Sequence, residues 1–171
     1  MNNISCFAPI ADGHARILVL GSMPGVESLR QQQYYAHARN SFWFIMGQLL
    51  NFDETLAYDK RAANLGSKYV ALWDVLNSCI RKGSLDSAID NASIQPNDFN
   101  GFFTSHPQIR DVFFNGQKAS QVYHKQVLPL LADSFGHIEY HQLPSTSPAM
   151  AALSKQQKLL KWRIIVDKLG I

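Results

Sequence analysis

Cysteine is scarce in this chain of 171 residues, which holds Cys6 and Cys79 and no other. Two cysteines exclude a four-cysteine zinc or iron–sulfur site built from this chain alone. Free buried thiols are usual in a reducing cytoplasm, so we expect a cytoplasmic protein. The histidines show no metal-ligand spacing, and each is more often structural or exposed than catalytic. We therefore expect no metal and no cofactor.

Long apolar runs are missing too. No stretch reaches the roughly eighteen apolar residues of a membrane helix, and residues 1–5 lack the features of a signal peptide. A Gly-x-Ser-x-Gly elbow, a Walker loop and a dinucleotide fingerprint are absent as well, which disfavours the activities they mark. The net charge is +3, which permits an anionic partner without requiring one. We expect no membrane partner.

Short apolar runs alternate with helical patterns along the chain. This alternation predicts one α/β domain over residues 1–171, a three-layer α/β/α sandwich around a central, mostly parallel four-stranded sheet. Asp53 is a plausible N-cap, and Pro129 is expected to end or kink its helix. The predicted strands are 16–20, 69–73, 112–114 and 137–142, and the predicted helices are 41–50, 53–65, 97–105, 117–131 and 154–169.

Ligands of such folds bind at the carboxyl ends of the parallel strands. The segments that follow the four predicted strands are therefore expected to meet at one edge of the sheet and form a cleft. They are 21–40, 74–84, 115–118 and 143–150.

Residues 21–43 stand out among these segments. About twenty residues between a strand and a helix is a long connection, and the aromatic content argues against disorder. The Gly-Ser-Met-Pro-Gly turn at 21–25 can bring backbone amides close to a phosphate, a base edge or a leaving group. A simple strand-ending turn is an equally good interpretation of this turn alone.

Three other places carry polar groups that suit a site. The loop 143–149 has two prolines and three hydroxyls, which suits phosphate contacts or a lead-in to the last helix. Asn115 can pair with a base or sugar edge, or serve as a turn residue. Asp74 can recognise a base or act in acid–base chemistry, or cap the following turn. Lys155 and Lys158 are expected close to the loop 143–149, where they could contact the phosphates of a duplex.

Residues 21–43 resemble the first motif of the uracil-DNA glycosylase superfamily: Gly-Ser-Met-Pro-Gly, then Tyr-Ala-His-x-x-Asn-x-Phe-Trp. The proline–serine loop 143–149 resembles its second motif, and segments 72–76, 83–86 and 113–116 look like the hypoxanthine-DNA glycosylase branch. The resemblance implies a uracil-DNA glycosylase-like fold and a monofunctional enzyme that flips a deaminated base out of duplex DNA. Such an enzyme hydrolyses the N-glycosidic bond of the flipped nucleotide and leaves an abasic site. The resemblance to the hypoxanthine branch implies that the preferred base is hypoxanthine of deoxyinosine.

The resemblance also implies roles for individual residues. Mismatch-specific relatives carry a catalytic asparagine where this chain has Met23, whose thioether cannot orient a water. Catalysis is therefore expected at Asn40, the nearest amide in the same loop. The base would be bound by Ser22 and Met23 through their backbone amides, by Asn115, by Asp74, and by Tyr35 through stacking.

DNA is expected to lie against the loops 21–43 and 143–149. Leu143 or a neighbour is expected to fill the space that the flipped base leaves in the duplex. The partner is duplex DNA containing a deaminated base, and the enzyme is expected to be a monomer. Three alternatives stay open: a uracil or thymine mismatch glycosylase, a non-catalytic DNA-damage binding module, and a small-molecule nucleosidase. The expected DNA-binding residues are Gly25, Leu143, Pro144, Ser145, Thr146, Ser147 and Lys155.

Overall fold

A computed structural model describes residues 3–171 of the chain. Seven strands and seven α-helices are named here, and short 3-10 helices connect several of them. No helix within this range is long and apolar enough to cross a bilayer. The elements are β1 (Asn3–Ser5), β2 (Ile17–Gly21), α1 (Val26–Gln31), α2 (Phe42–Leu50), α3 (Tyr58–Ser67), β3 (Val70–Asp74), β4 (Leu76–Ile80), β5 (Gln95–Pro96), α4 (Phe99–Ser105), β6 (Asp111–Asn115), α5 (Gln117–Val122), β7 (Glu139–Leu143), α6 (Lys155–Trp162) and α7 (Ile164–Leu169).

The central sheet has four parallel strands in the order β3-β2-β6-β7. Every residue of β2 is buried, and successive side chains point to opposite faces. Leu18 and Leu20 join one core with α4 and α5, whereas Ile17 and Val19 join a second core with α2, α6 and α7. Helices thus cover both faces of the sheet, and the predicted three-layer α/β/α sandwich is confirmed.

A second, antiparallel sheet in the order β1-β4-β5 was not predicted. Its middle strand β4 follows β3 after a single residue, Val75, and carries polar Asn77 and Ser78. Those two residues favoured a loop, because the buried residues of β4, Leu76 and Cys79, are separated by them and do not follow the alternation that marks a half-buried strand. The short helix α1, inside the long connection 21–43, was missed for lack of apolar periodicity.

Two predicted helices have different bounds in the structure. Helix α3 begins at Tyr58, because Asp53 accepts hydrogen bonds from the Thr55 amide and hydroxyl and closes a local turn instead. After α5 the chain continues as a π-helical turn and then a short 3-10 helix that contains Pro129. The expected interruption by this proline is therefore confirmed.

The last predicted helix is divided at Arg163 into α6 and α7. Ser154 begins α6 through a capping box, in which its hydroxyl accepts from the Gln157 amide and the Gln157 side chain accepts in return. The capping box fixes the direction in which the chain leaves the loop 143–150, and so it positions α6 beside that loop.

Candidate active site

The four parallel strands of the central sheet end at one edge, and a cleft of about 1210 Å³ opens there. Their last residues are Gly21, Asp74, Asn115 and Leu143. Gly21 lies opposite Asp74 in the sheet register, and Asn115 lies opposite Leu143. Residues from all four following segments line the cleft, so their predicted convergence is confirmed.

The floor of the cleft is built around Gly21. A Cβ atom on this residue would lie 2.5 Å from Asp74 Oδ1 and 2.8 Å from Tyr35 Oη. Gly21 is therefore required because the carboxyl and the hydroxyl both approach its backbone. Within residues 3–171, Asp74 Oδ2 and Tyr35 Oη are buried and make no hydrogen bond. Two polar groups without partners thus converge on one point of the floor.

The ionisation of Asp74 is shifted by its surroundings. Burial, and after it the charge of the nearby Asp86, raise the pKa of the Asp74 carboxyl, and Arg81 opposes the shift. The net result is a pKa of about 7. Burial, with the charge of Asp74, also raises the pKa of the Tyr35 hydroxyl far above its usual range. The raised pKa makes the neutral carboxyl accessible near neutral pH, beside a neutral tyrosine hydroxyl.

Asn40 lies on the wall of the cleft, immediately before α2. Its side-chain Oδ1 accepts a hydrogen bond of 2.9 Å from the backbone amide of Phe42. The backbone amide of Asn40 donates to the His37 carbonyl. These bonds hold the side chain still and leave a second lone pair on Oδ1 and the whole Nδ2 group available. An amide oxygen held in this way can orient a water molecule toward a ligand in the cleft.

Tyr35 has one aromatic face covered by Phe42, with ring centroids 4.1 Å apart. Its φ of 54° is unusual for a non-glycine residue and turns the side chain into the cleft. Stacking of this ring on a base stays a prediction. It is limited to the ring surface that Phe42 leaves uncovered.

Asn115 and Thr146 pair through two hydrogen bonds of 2.9 Å, from Asn115 Nδ2 to Thr146 Oγ1 and from the Thr146 amide to Asn115 Oδ1. The Thr146 carbonyl in turn accepts from the Ser41 amide. Thr146 is 0 % exposed. This burial argues against its predicted contact with DNA, because the residue is used internally to join three segments of the site. Asn115 keeps one donor hydrogen toward the cleft, next to Tyr35.

Leu143 is a second such residue. Its side chain is 5 % exposed and belongs to the core beneath α6 and α2. Moving it into a duplex would open a cavity in that core, at a cost of about 2–5 kcal/mol for a leucine. The burial of Leu143 therefore argues against both of its predicted roles, contact with DNA and filling the space of a flipped nucleotide. The exposed apolar side chains on the rim of the cleft are Val26 and Leu85.

The other predicted residues of the proline–serine loop, Pro144, Ser145 and Ser147, do line the cleft. The loop is shaped from behind by α6, since Trp162 Nε1 donates to the Pro144 carbonyl and Lys158 Nζ donates to the Ser147 carbonyl. Lys158 is buried, and burial lowers its pKa. This lysine supports the loop and does not offer its charge to a duplex.

The turn 21–25 lines the cleft as predicted, although its side chains mostly point elsewhere. The Met23 side chain packs in the core, so only its backbone can face a ligand. The Ser22 hydroxyl donates to Asp86 at 2.6 Å. Gly25 lies on the cleft wall directly before α1.

The wall beside the turn comes from the predicted segment 74–84 and continues past it, with Ser84, Leu85, Asp86 and Ser87 lining the cleft. It is fastened to the turn by Arg81, whose Nη2 donates to the Pro24 carbonyl at 2.5 Å, a contact that was not predicted. The Ser84 hydroxyl also accepts from the Val26 amide. The role of Arg81 had no sequence signal of its own, because arginines are mostly exposed and this one follows a strand like many others.

Lys155 lies outside this cleft. It borders a second, polar pocket of about 660 Å³ on the other side of residues 35–40, together with Arg39 and Arg61. Its Nζ lies 4.3 Å from the centre of the Phe44 ring. The predicted DNA contact of Lys155 therefore concerns an adjacent groove that shares the Asn40 loop with the cleft.

Asp111, Glu139 and His141 lie together at the opposite edge of the sheet, within 4.8 Å of one another, a grouping that histidine spacing did not suggest. His141 Nε2 is 2.8 Å from Asp111, and Lys168 Nζ is 2.5 Å from Glu139 and 3.4 Å from Asp111. The lysine supplies a positive charge to this group. We interpret it as an ion-pair cluster at the amino ends of β6 and β7.

Comparisons with known proteins agree with this geometry. The model of the uracil DNA glycosylase superfamily matches residues 8–167. A protein of Methanosarcina acetivorans named hypoxanthine DNA glycosylase is 37% identical over 153 residues, which are 89% of this chain and 91% of that protein. A protein of the same name from Methanosarcina barkeri is 35% identical over 116 residues, covering 67% and 72%.

A solution NMR structure from Methanosarcina acetivorans, of a protein described as a candidate uracil DNA glycosylase, superposes with a TM-score of 0.82. It is 33% identical and covers 99% of this chain and 100% of its own. The parallel sheet, the cleft at its carboxyl edge and the match over residues 8–167 lead to one assignment. The chain belongs to the uracil DNA glycosylase superfamily.

Proposed function

We propose that this protein is a DNA glycosylase that removes hypoxanthine from deoxyinosine in duplex DNA and leaves an abasic site. The observation that carries the proposal is the fixed amide of Asn40 facing a cleft whose floor holds polar groups without partners. The two relatives from Methanosarcina named hypoxanthine DNA glycosylase support the choice of base.

The reaction begins with extrusion of the nucleotide, because the glycosidic bond of a stacked base is out of reach of the cleft. Asn40 Oδ1 then holds a water against C1′ while the bond breaks toward an oxocarbenium-like sugar. The backbone amides of Ser22 and Met23 and the remaining hydrogen of Asn115 bind the departing base. These donors stabilise the negative charge that grows on the base as it leaves.

The enzyme is proposed to be monofunctional, with no amine nucleophile. Lys118 is the only lysine that lines the cleft within the described residues, and its Nζ donates to Asn91 Oδ1 at 2.6 Å. The nearby Lys158 is turned toward the Ser147 carbonyl. Water is therefore the nucleophile, and the strand stays intact after base release.

The duplex is proposed to lie across the mouth of the cleft. Gly25, Pro144, Ser145 and Ser147 line this mouth and would contact phosphates through amides and hydroxyls. Lys155 would contact the strand beyond the Asn40 loop. We further propose that the enzyme acts as a monomer in the cytoplasm.

Single-turnover assays on duplexes with deoxyinosine, deoxyuridine or a mispaired thymidine test the proposal. We expect alkali-labile abasic product from deoxyinosine, fastest of the three. Asn40→Ala should remove most of the activity while keeping DNA binding. Asn64→Ala, a control outside the cleft, should behave as wild type. Faster release of uracil would favour the mismatch-glycosylase alternative, binding without product would favour the damage-binding alternative, and cleavage of free inosine would favour a nucleosidase.

A further inference from the structure

The two polar atoms on the floor of the cleft are placed rigidly. Asp74 ends β3, and its carbonyl accepts from Asn97 Nδ2 at 2.8 Å. The next amide, of Val75, donates to the Gly21 carbonyl at 2.8 Å. The backbone on both sides of the carboxyl is therefore fixed. Its Oδ1 atom and Tyr35 Oη both approach Gly21, its Oδ2 atom is buried without a partner, and both residues line the cleft.

Buried polar atoms without partners are uncommon, because each loses about 1–3 kcal/mol relative to a hydrogen-bonded group. Asp74 is 3 % exposed, and neither its Oδ2 nor Tyr35 Oη is bonded within residues 3–171. A ligand in the cleft would satisfy both atoms. A neutral carboxyl and a tyrosine hydroxyl together present two donors, so the complementary ligand edge carries two neighbouring acceptors.

A 6-oxopurine has such an edge, formed by N7 and O6, as guanine does in the major groove. Adenine presents an acceptor and a donor there, and uracil presents O4 beside a C–H group. Resting on the proposed function, we infer that neutral Asp74 and Tyr35 read the N7–O6 edge of a flipped 6-oxopurine, and that Asp74 is the general acid that protonates N7. Guanine shares this edge, so it is excluded by the cost of flipping it from a stable pair.

The C1′–N9 bond breaks, and its electron pair goes to the purine ring as the Asp74 proton forms the N7–H bond. The base then leaves as neutral hypoxanthine. The oxygen of the water held by Asn40 bonds to C1′, and the proton released from that water returns through solvent to the Asp74 carboxylate. Protonating the leaving group removes the need for a strong base at Asn40.

Several charged and titratable groups face this carboxyl. Asp86 disfavours its ionisation and Arg81 favours it, and burial exceeds both effects, so the pKa of Asp74 is raised to about 7. The neutral form is thus abundant at physiological pH. The groups that act on Asp74 from the surrounding elements are Tyr35, Asp86, Arg81, Cys6, Tyr34 and Tyr58.

The first test is the pH dependence of single-turnover hypoxanthine release. For wild type we expect a plateau at low pH and a tenfold fall for each unit above the Asp74 pKa. Asp74→Asn keeps a hydrogen-bond donor but cannot release a proton. It should be slower at pH 6 by about a hundredfold or more and should lack the break. Asp86→Asn should move the break to lower pH, and the exposed control Asp133→Asn should leave it in place.

The second test replaces N7 by a C–H group, using duplexes with 7-deazadeoxyinosine. Wild type should be slow on this substrate, and Asp74→Asn should cost little more, since the proton has no acceptor. If Asp74→Asn slowed both substrates by the same factor, or shared the wild-type pH profile on deoxyinosine, the role of Asp74 would be overturned while the proposed function stood. A wild type that released no hypoxanthine at any pH would overturn both.

Discussion

Asp74 links the stability of the folded chain to pH. Its pKa is raised from an ordinary value of 3.8 to about 7, so the carboxyl prefers to be protonated in the folded state. Its contribution to stability is complete below the unfolded pKa and is lost as the pH rises through the folded pKa. The loss is on the order of a few kcal/mol, because each unit of pKa shift corresponds to about 1.4 kcal/mol.

Asp74→Asn should therefore raise the free energy of unfolding relative to wild type at pH 8 and change it much less at pH 4. Urea titrations at several pH values measure this difference. Asp133→Asn, an exposed aspartate, should run parallel to wild type. Parallel curves for wild type and Asp74→Asn would contradict the burial of an ionisable carboxyl on the floor. With the expected result, Asp74→Asn improves stability at pH 8 while it removes activity, as is common at active sites.

Some residues of the site could be predicted from the sequence, and others could not. Asn40 was expected from the resemblance, and it does line the cleft with a fixed side chain. Thr146 and Leu143 were expected at the DNA, but a loop sequence does not tell which of its side chains turn inward. The convergence of Asp74 and Tyr35 on Gly21 depends on a close approach between separate segments, which local patterns do not encode.

At the scale of elements, the buried Thr146 joins the proline–serine loop to β6 and to the start of α2. Thr146→Val keeps the shape but leaves Asn115 Nδ2 without its acceptor. We expect a loss of about 1–3 kcal/mol in the free energy of unfolding and slower single-turnover base release. Thr104→Val is the matched control, because Thr104 is an exposed residue of α4 and its hydroxyl donates to the Asn100 carbonyl in the same helix. Equal stability of Thr146→Val and wild type would contradict the structural role.

The wall 81–86 places an exposed apolar side chain on the rim of the cleft. Leu85 is 56 % exposed, and Ser84 and Asp86 on either side of it are hydrogen-bonded to the turn 21–25 region. Apolar side chains in such positions can insert between base steps and keep a nucleotide extrahelical. Leu85→Ala should slow release from duplex DNA by about tenfold, equivalent to about 1.4 kcal/mol.

Single-stranded deoxyinosine serves to check this prediction, because no partner base returns to the gap. Leu85→Ala should act on the single strand as wild type does. Leu160→Ala, an exposed leucine on α6 that does not line the cleft, should match wild type on both substrates. Equal losses of rate on the duplex and the single-stranded substrate would indicate a defect inside the cleft. No loss of rate on either substrate would exclude an inserting role for Leu85.

Elements were predictable where both faces are buried. The strands β2, β3 and β6 are nearly continuous apolar runs, and they were predicted within a few residues. The strand β7 was also predicted within a few residues, although it is largely polar and only Leu143 in it is buried. The strand β4 was missed because polar Asn77 and Ser78 interrupt its apolar residues. Helix α1 was missed because it is held by Ser84 and the turn rather than by an apolar stripe of its own.

For the whole molecule, a net charge of +3 predicts DNA binding with a modest salt dependence. The logarithm of the affinity should fall with the logarithm of salt by about 0.9 for each phosphate contacted. Lys155→Gln should reduce this slope by about one and leave the rate of base release at saturating enzyme unchanged. Lys161→Gln, on the same helix but outside both pockets, should change neither. An unchanged slope in Lys155→Gln would exclude its groove from the DNA path.

The buried pair of Asn115 and Thr146 has a consequence for the thermodynamics of the whole reaction. Three segments of the site, the end of β6, the proline–serine loop and the start of α2, are already joined in the free protein. The loss of their conformational entropy belongs to folding, and little of it remains for the encounter with DNA. More of the interaction free energy is then available to unstack and extrude a nucleotide. A small enzyme can thus act on a helix that resists opening.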